Sequence, residues 1–290
     1  MLDRSRVKIV VLSPGRRQGT TTLSILIGMI FESTQNLKVC LTTVGKDNDS
    51  ISAYLGRNII PDVTRSLEQV YKLLASGQIS PSDIVDYSQR LSGNFYLFDT
   101  VADYMSQEAS NALLLKVMGY LDFDIIITDI NDEIDSDVTQ QLIKESNLVL
   151  IVFEQAKDMV KKMKAWRQSE YYDVIDTIGE LFVINRFDRN VSSLKEWTKV
   201  CGINWRFAEK ICDCAYIRKI SNQGKLLSLM SNIRNHDVRT LGLTSDLKRL
   251  VHKVCNNSGI FFIDWEKREA EKLLREKETL KVDKERYRRR

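Results

Sequence analysis

Histidine is nearly missing from this chain: His236 and His252 are the only two in 290 residues. Five cysteines accompany them, and only Cys212 and Cys214 stand close together. A lone Cys-x-Cys with no second pair is poor metal-ligand spacing, so no structural metal is expected. An odd cysteine count fits reduced, largely buried thiols rather than a disulfide framework. Long apolar runs are also missing; none approaches the ~18 residues of a membrane-spanning helix. Met1-Leu2-Asp3-Arg4-Ser5-Arg6 mixes acid and base and leads straight into an apolar stretch, unlike a secretory leader. The expectation is a cytoplasmic protein. No internal repeat, helix-turn-helix or zinc signature is present.

What remains is ordinary in bulk and uneven in detail. Hydrophobic residues at 43% and charged residues at 28% fit one large α/β domain with a substantial core. From Trp265 to Arg290 there are eleven Lys/Arg against seven Asp/Glu, while the whole chain has 43 against 39. The body is therefore neutral and the extension basic. That extension has no Pro or Gly, is rich in helix-forming Glu, Lys and Arg, and places Glu271 and Arg275 at ion-pair spacing. Its aliphatic stripe (Leu273, Leu274, Leu280, Val282) is too thin for a membrane-inserting helix.

Apolar strands alternate with helical patterns, which predicts a mainly parallel, doubly wound sheet flanked by helices. Strands are expected at Val7–Leu12, Lys38–Thr43, Asn94–Phe98, Phe123–Asp129, Leu148–Phe153 and Leu181–Ile184, with an edge strand near Ala215–Ile220. Helical spacing appears at Asp62–Ser76, Gln107–Leu121, Ser193–Val200 and Thr244–Cys255, and Ser80-Pro81-Ser82-Asp83 opens a capped short helix. The apolar Ser258–Ile263 segment is read as an anchor to the body or to a partner. The acids Asp132, Glu133, Asp135 and Asp137 have two readings: a solvated helix N-terminus favoured by the dipole, or a switch beside a ligand. Lys157, Lys161, Lys162, Lys164 and Arg167 form a basic helix, which reads either as a solvated face or as a contact for DNA or an acidic partner.

The most informative stretch is Val7-Lys8-Ile9-Val10-Val11-Leu12-Ser13-Pro14-Gly15-Arg16-Arg17-Gln18-Gly19-Thr20-Thr21-Thr22. A buried strand, a tight loop and an amphipathic helix through Leu23, Leu26, Ile27 and Ile30 make a phosphate cradle. Unpaired amides and the positive end of the helix dipole converge there, and hydroxyls stand ready for Mg²⁺ or a phosphate oxygen.

This loop resembles the deviant phosphate loop of ParA/MinD-type ATPases, K-G-G-x-G-K-S/T-S/T, and more closely the form S-P-x-G-G-x-G-T-S-T of the TadZ-like pilus-assembly branch. Laid on the pattern, Gly15 falls on the first Lys, Arg16 and Arg17 on the Gly pair, Gly19 on the third Gly and Thr20 on the second Lys. Two further landmarks follow in order. Phe123-Asp124-Ile125-Ile126-Ile127-Thr128-Asp129 resembles the strand that ends in the Walker B acid, and Asn185-Arg186-Phe187-Asp188 resembles the N-R-x-D segment at the adenine end. The resemblance implies a P-loop NTPase fold over residues 1–256, with residues 257–290 as the basic helical extension. It implies ATP on Gly15, Arg16, Arg17, Gln18, Gly19, Thr20, Thr21 and Thr22, with Asn185 and Arg186 at the base. Mg²⁺ is implied at Thr21 and Asp129.

Two departures bear on chemistry. Thr20 holds the place of the phosphate-binding Lys. Thr43 and Gly45 hold the places of the acidic pair after the second strand, with Asp47 and Asp49 out of register. Phosphoryl transfer rests on charge stabilisation and positioning, so the expectation is ATP binding without efficient hydrolysis. The resemblance further implies a nucleotide-favoured homodimer that recruits protein partners of a pilus, secretion or segregation complex. Contact with DNA or with an acidic membrane surface at the inner face would run through the basic helix and extension. The alternative is a nucleotide-free pseudo-ATPase scaffold acting through those surfaces.

Overall fold

A computed structural model describes residues 6–45, 50–55, 67–98, 107–131, 134–234 and 237–264 of the chain. Eight strands form one sheet: β1 (Val7–Leu12), β2 (Val39–Gly45), β3 (Gln89–Ser92), β4 (Phe95–Phe98), β5 (Ile125–Asn131), β6 (Leu148–Glu154), β7 (Glu180–Phe187) and β8 (Ala208–Cys212). Their order is β3-β4-β2-β5-β1-β6-β7-β8. Every described pairing is parallel except the β3–β4 hairpin.

The near-continuous apolar sequences of β1, β5 and β6 follow from burial on both faces. Alternation along β1 divides the core in two. Val7, Ile9 and Val11 face one cluster, which includes α1 (Thr20–Gln35) and α11 (Leu241–Ser258). Val10 and Leu12 face the other, with α4 (Gln107–Met118), α5 (Asp137–Lys144), α6 (Lys157–Arg167) and α7 (Tyr172–Ile178). The remaining described helices are α2 (Ser50–Leu55), α3 (Leu67–Ala75), α8 (Leu194–Cys201), α9 (Ala215–Asn222) and α10 (Leu229–Arg234).

The chain leaves β1 through α1 toward β2 on one side, and leaves β6 through α6 and α7 toward β7 on the other. Those opposed exits open a crevice beyond the carboxyl ends of β1 and β6, where doubly wound sheets take ligands.

Local rules explain most boundaries. A capping box of Ser193 and Glu196 starts α8, and Ser136 caps α5 by accepting from the Thr139 amide. Ser80 and Asp83 cap the 3-10 turn Pro81–Tyr87. Acidic Asp137 therefore lies in the first turn of α5, the helix-terminus reading; Asp132 and Glu133 lie outside the described residues. Ile260 and Phe262 pack on the core, and Gln35 brackets Ile263 by accepting its amide at 2.7 Å and donating to its carbonyl at 2.9 Å. The 258–263 segment thus anchors to the body.

One element differs in kind from expectation. Ala215–Ile220 is not an edge strand: it lies in α9, and the edge strand is β8, one element earlier. Tyr216, Ile217 and Ile220 share a helical face against the core, so the governing period is 3.6 rather than 2. The short strands β3 and β8 and the helices α2, α7 and α10 have no counterpart among the elements the sequence pattern predicts. Residues 47, 49, 62, 99 and 236, and the extension from 265, lie outside the described residues.

Candidate functional site

The segment Ser13–Gly19 links β1 to α1 across the crevice. The Ser13 hydroxyl accepts from the Gly15 amide at 3.1 Å, and Arg17 turns the loop with φ 62°. Gly19 caps the helix in the left-handed region (φ 88°), and the first intrahelical bond runs from the Leu23 amide to the Gly19 carbonyl at 3.0 Å. The amides of Gly19, Thr20, Thr21 and Thr22 meet no acceptor among the described residues. Four donors at a helix N-terminus, with no capping side chain, are the arrangement an anion cradle needs.

Neighbouring strands fix this loop. The Asn185 amide nitrogen, at the end of β7, donates to the Gln18 carbonyl at 2.8 Å. Gln18 Oε1 accepts from the Glu154 backbone amide at 2.9 Å, tying the loop to β6 as well. Arg186 pairs with the Glu154 carboxylate, so its guanidinium holds the β6–β7 rim. A Cβ on Gly19 would stand 2.3 Å from Asn185 Nδ2, which leaves glycine as the residue that fits.

Below the cradle, Thr21 Oγ1 donates to Asp129 Oδ2 at 2.6 Å, with the Asn131 amide donating to the same oxygen at 3.3 Å. Asp129 is fully buried, and its Oδ1 has no hydrogen-bond partner among the described residues. Burial pushes its carboxyl up to about 6, against the opposing pull of the Thr21, Thr20 and Asn131 hydrogen bonds. An orphaned carboxylate oxygen beside a threonine hydroxyl fits Mg²⁺ or its water shell. Among the described residues no group of three or more His, Cys, Asp or Glu could hold a metal. The donor set therefore suits a cation that keeps waters and shares substrate phosphates, the habit of Mg²⁺, rather than an all-protein cage.

Beside the cradle a cavity of about 170 Å³ is lined by Gly19, Thr22, Asn185, Arg186, Asp213 and Cys214, among others. Asn185 lines this cavity, and with its Nδ2 donating to Gln18 its Oδ1 is free to accept from a donor there. The far wall, Ile211 to Cys214, is held by Asp246 of α11, which accepts from the Cys212 amide at 2.8 Å. Burial and the neighbouring Asp246 push the Cys212 thiol up to about 12, so it stays protonated.

Gly15, Arg16, Arg17, Gln18, Gly19, Thr20, Thr21, Thr22, Asp129, Asn185 and Arg186 thus converge on one end of the sheet. Within that set, Arg16 and Arg17 are exposed, while Thr20 and Thr21 are buried. On β2, Thr43 pairs in register with Asp129 and Gly45 with Asn131, so no acid from the described part of that strand enters the site. Sequence reading missed the Ile211–Cys214 wall. Correct placement of β8 would have exposed it, because the loop after a strand's carboxyl end borders the crevice.

Structural comparison gives this architecture a class. The chain has the fold of ParA/MinD-type P-loop ATPases. A ParA family ATPase from Chlorobium tepidum TLS superposes with a TM-score of 0.64 at 14% identity, over 85% of this chain and 99% of that one. MinD in the MinC:MinD cell division complex of Aquifex aeolicus gives 0.61 at 16%, over 89% and 99%. A plasmid partition protein of Borrelia burgdorferi B31 bound to AMPPNP gives 0.57 at 18%, over 80% and 98%. By sequence, no family model and no curated protein matches the chain.

Proposed function

We propose that this chain binds Mg·ATP at the Gly15–Thr22 loop and acts as a positioning or assembly factor, hydrolysing the nucleotide slowly at most. The observation that carries the reading is the Thr21–Asp129 contact beneath four unpaired amides. The fold supports it: one similar structure is described as bound to AMPPNP, and another is a complex of MinD with MinC. In this reading Gly19 to Thr22 receive the phosphates, and Asn185 Oδ1 receives the amino group of adenine. Thr21 and Asp129 supply oxygen donors to Mg²⁺, which when bound neutralises charge on the terminal phosphate. Among the described residues, Thr43 and Gly45 of β2 bring no acid into the crevice to orient an attacking water, which supports slow turnover.

Function then lies in a bound-state homodimer that recruits protein partners of a pilus, secretion or segregation complex, nearest in loop form to the TadZ-like branch. The basic face of α6 and the basic extension offer contacts to DNA or to an acidic membrane surface. No described helix is long and apolar enough to cross a membrane. We place the protein in the cytoplasm, at most peripheral to the inner membrane face.

Calorimetric titration tests this reading. Mg·ATP should bind saturably with release of phosphate close to background. No heat at millimolar nucleotide would refute the nucleotide half of the proposal. A second reading, a nucleotide-free scaffold, is favoured by Thr20 and by the way Gln18, Asn185 and Glu154 hold the loop with protein groups alone. It predicts no heat and no ATP-dependent change in mass by light scattering.

A further inference from the structure

The loop lacks an ammonium of its own. Thr20 and Gly15 stand where the resembling pattern has its two lysines, and Arg16 and Arg17 are exposed. The space beside Gly15 is filled from another element. A Cβ built on Gly15 would lie 2.9 Å from Met159 Cε, 3.1 Å from Met159 Sδ and 3.2 Å from Lys162 Nζ. Both side chains come from α6, three residues apart and hence on one side of the helix.

Met159 and Val160 are buried and seat α6 on the core. Lys162 is exposed, and no carboxylate pairs with it among the described residues. An ammonium rooted on a packed helix and set against Gly15, in the loop whose far end carries the four free amides, is poised for a polyanion. The orphaned Asp129 Oδ1 is an independent sign that groups from outside the chain complete this crevice.

We propose that Lys162 is the phosphate-contacting cation of this loop, an ammonium supplied by α6 for the terminal phosphates of a nucleoside polyphosphate. Gly15 is the complementary half of the exchange, because a Cβ there would make the ends of Met159 and Lys162 give way. The assignment rests on the nucleotide reading above, and it deepens that reading by naming the charge that replaces the lysine missing from the loop. Helix placement also favours Lys162 over Arg16 and Arg17, since less freedom is lost when a side chain rooted on a packed helix engages a ligand.

The test is calorimetric titration of the full chain, with Mg²⁺, by ATP, AMP and inorganic tripolyphosphate. Wild type is compared with Lys162→Met, Lys162→Arg, Gly15→Ala and Lys195→Met. Lys162→Met should weaken ATP and tripolyphosphate by about tenfold or more, the weight of one charge-assisted contact. AMP should bind as before, Lys162→Arg should recover most of the loss, and Lys195→Met on α8 should match wild type. Gly15→Ala should weaken the same two ligands, by less than Lys162→Met does, by shifting the ammonium.

ATP binding by Lys162→Met at wild-type strength would overturn the assignment and leave the nucleotide reading standing. Tripolyphosphate binding that depends on Lys162, without ATP binding, would support the lysine and refute the nucleotide. Failure of wild type to bind either ligand would refute both.

Discussion

At the scale of single residues, Asp129 and Gly19 carry opposite kinds of strain. Asp129 is a buried carboxylate whose proton is held tighter in the fold, at about 6, than at the ordinary value of 3.8. Its contribution to stability is therefore full below about pH 4 and lost as pH rises through about 6. Asp129→Asn removes that penalty. The variant should be more stable than wild type at pH 8 by roughly 2–3 kcal/mol in chemical denaturation, and the gap should close toward pH 4. A variant less stable at pH 8 would contradict the burial argument. The same proton competes with Mg²⁺, so the Mg²⁺ dependence of ATP affinity should fade below about pH 6 and be missing from Asp129→Asn. Gly19 combines φ 88° with the close approach of Asn185. Gly19→Ala should cost about 2 kcal/mol or more, and a double-mutant cycle with Asn185→Ala should recover part of it by relieving the collision but not the backbone strain. Additive effects would show that the two residues do not touch. The side chains of the candidate site are legible in sequence because each lies in a short continuous motif. Lys162 stood out only as one of five cations on a basic helix, because its approach to Gly15 comes from the fold and not from spacing in sequence.

Among elements, the edge strand and closing helix form a unit that shapes the cavity wall. Asp246 is buried on α11, where it accepts from the Cys212 amide, pairs with Arg249 and lies 3.9 Å from Lys210. Glu209, also buried, pairs with Lys253 at 3.1 Å and Arg249 at 3.5 Å. Removing one member leaves buried charge uncompensated. Asp246→Ala should destabilise by about 3 kcal/mol and loosen the wall from Ile211 to Cys214. ATP affinity should then fall while tripolyphosphate affinity holds, a split that calorimetry separates; equal losses would show that this wall does not serve the base. Element by element, dense apolar strands such as β1, β5 and β6 announced themselves. β3 did not, because Leu91 is its only buried residue and a short antiparallel edge carries little hydrophobic pattern. Ala215–Ile220 reads as a strand because Ala215, Ile217 and Ile220 sit in a window too short to separate a strand from a helix by periodicity.

For the molecule as a whole, alternation of apolar strands and amphipathic helices specified the doubly wound sheet, and its switch point placed the crevice at β1 and β6. Surfaces for partners were not legible to the same degree, since charge on α6 reads equally as a solvated face. The proposed dimer is tested by mass: Mg·ATP should shift the chain from one copy to two in light scattering, and Lys162→Met should need more nucleotide to reach the same mass. Mass unchanged by saturating nucleotide would remove the switch. The most direct single measurement is a crystal structure grown with Mg²⁺ and a non-hydrolysable ATP analogue. Triphosphate density is expected against the Gly19–Thr22 amides, with a metal beside Thr21 and Asp129 and Lys162 Nζ on a terminal phosphate oxygen. A fully formed loop with no density at saturating analogue would contradict it.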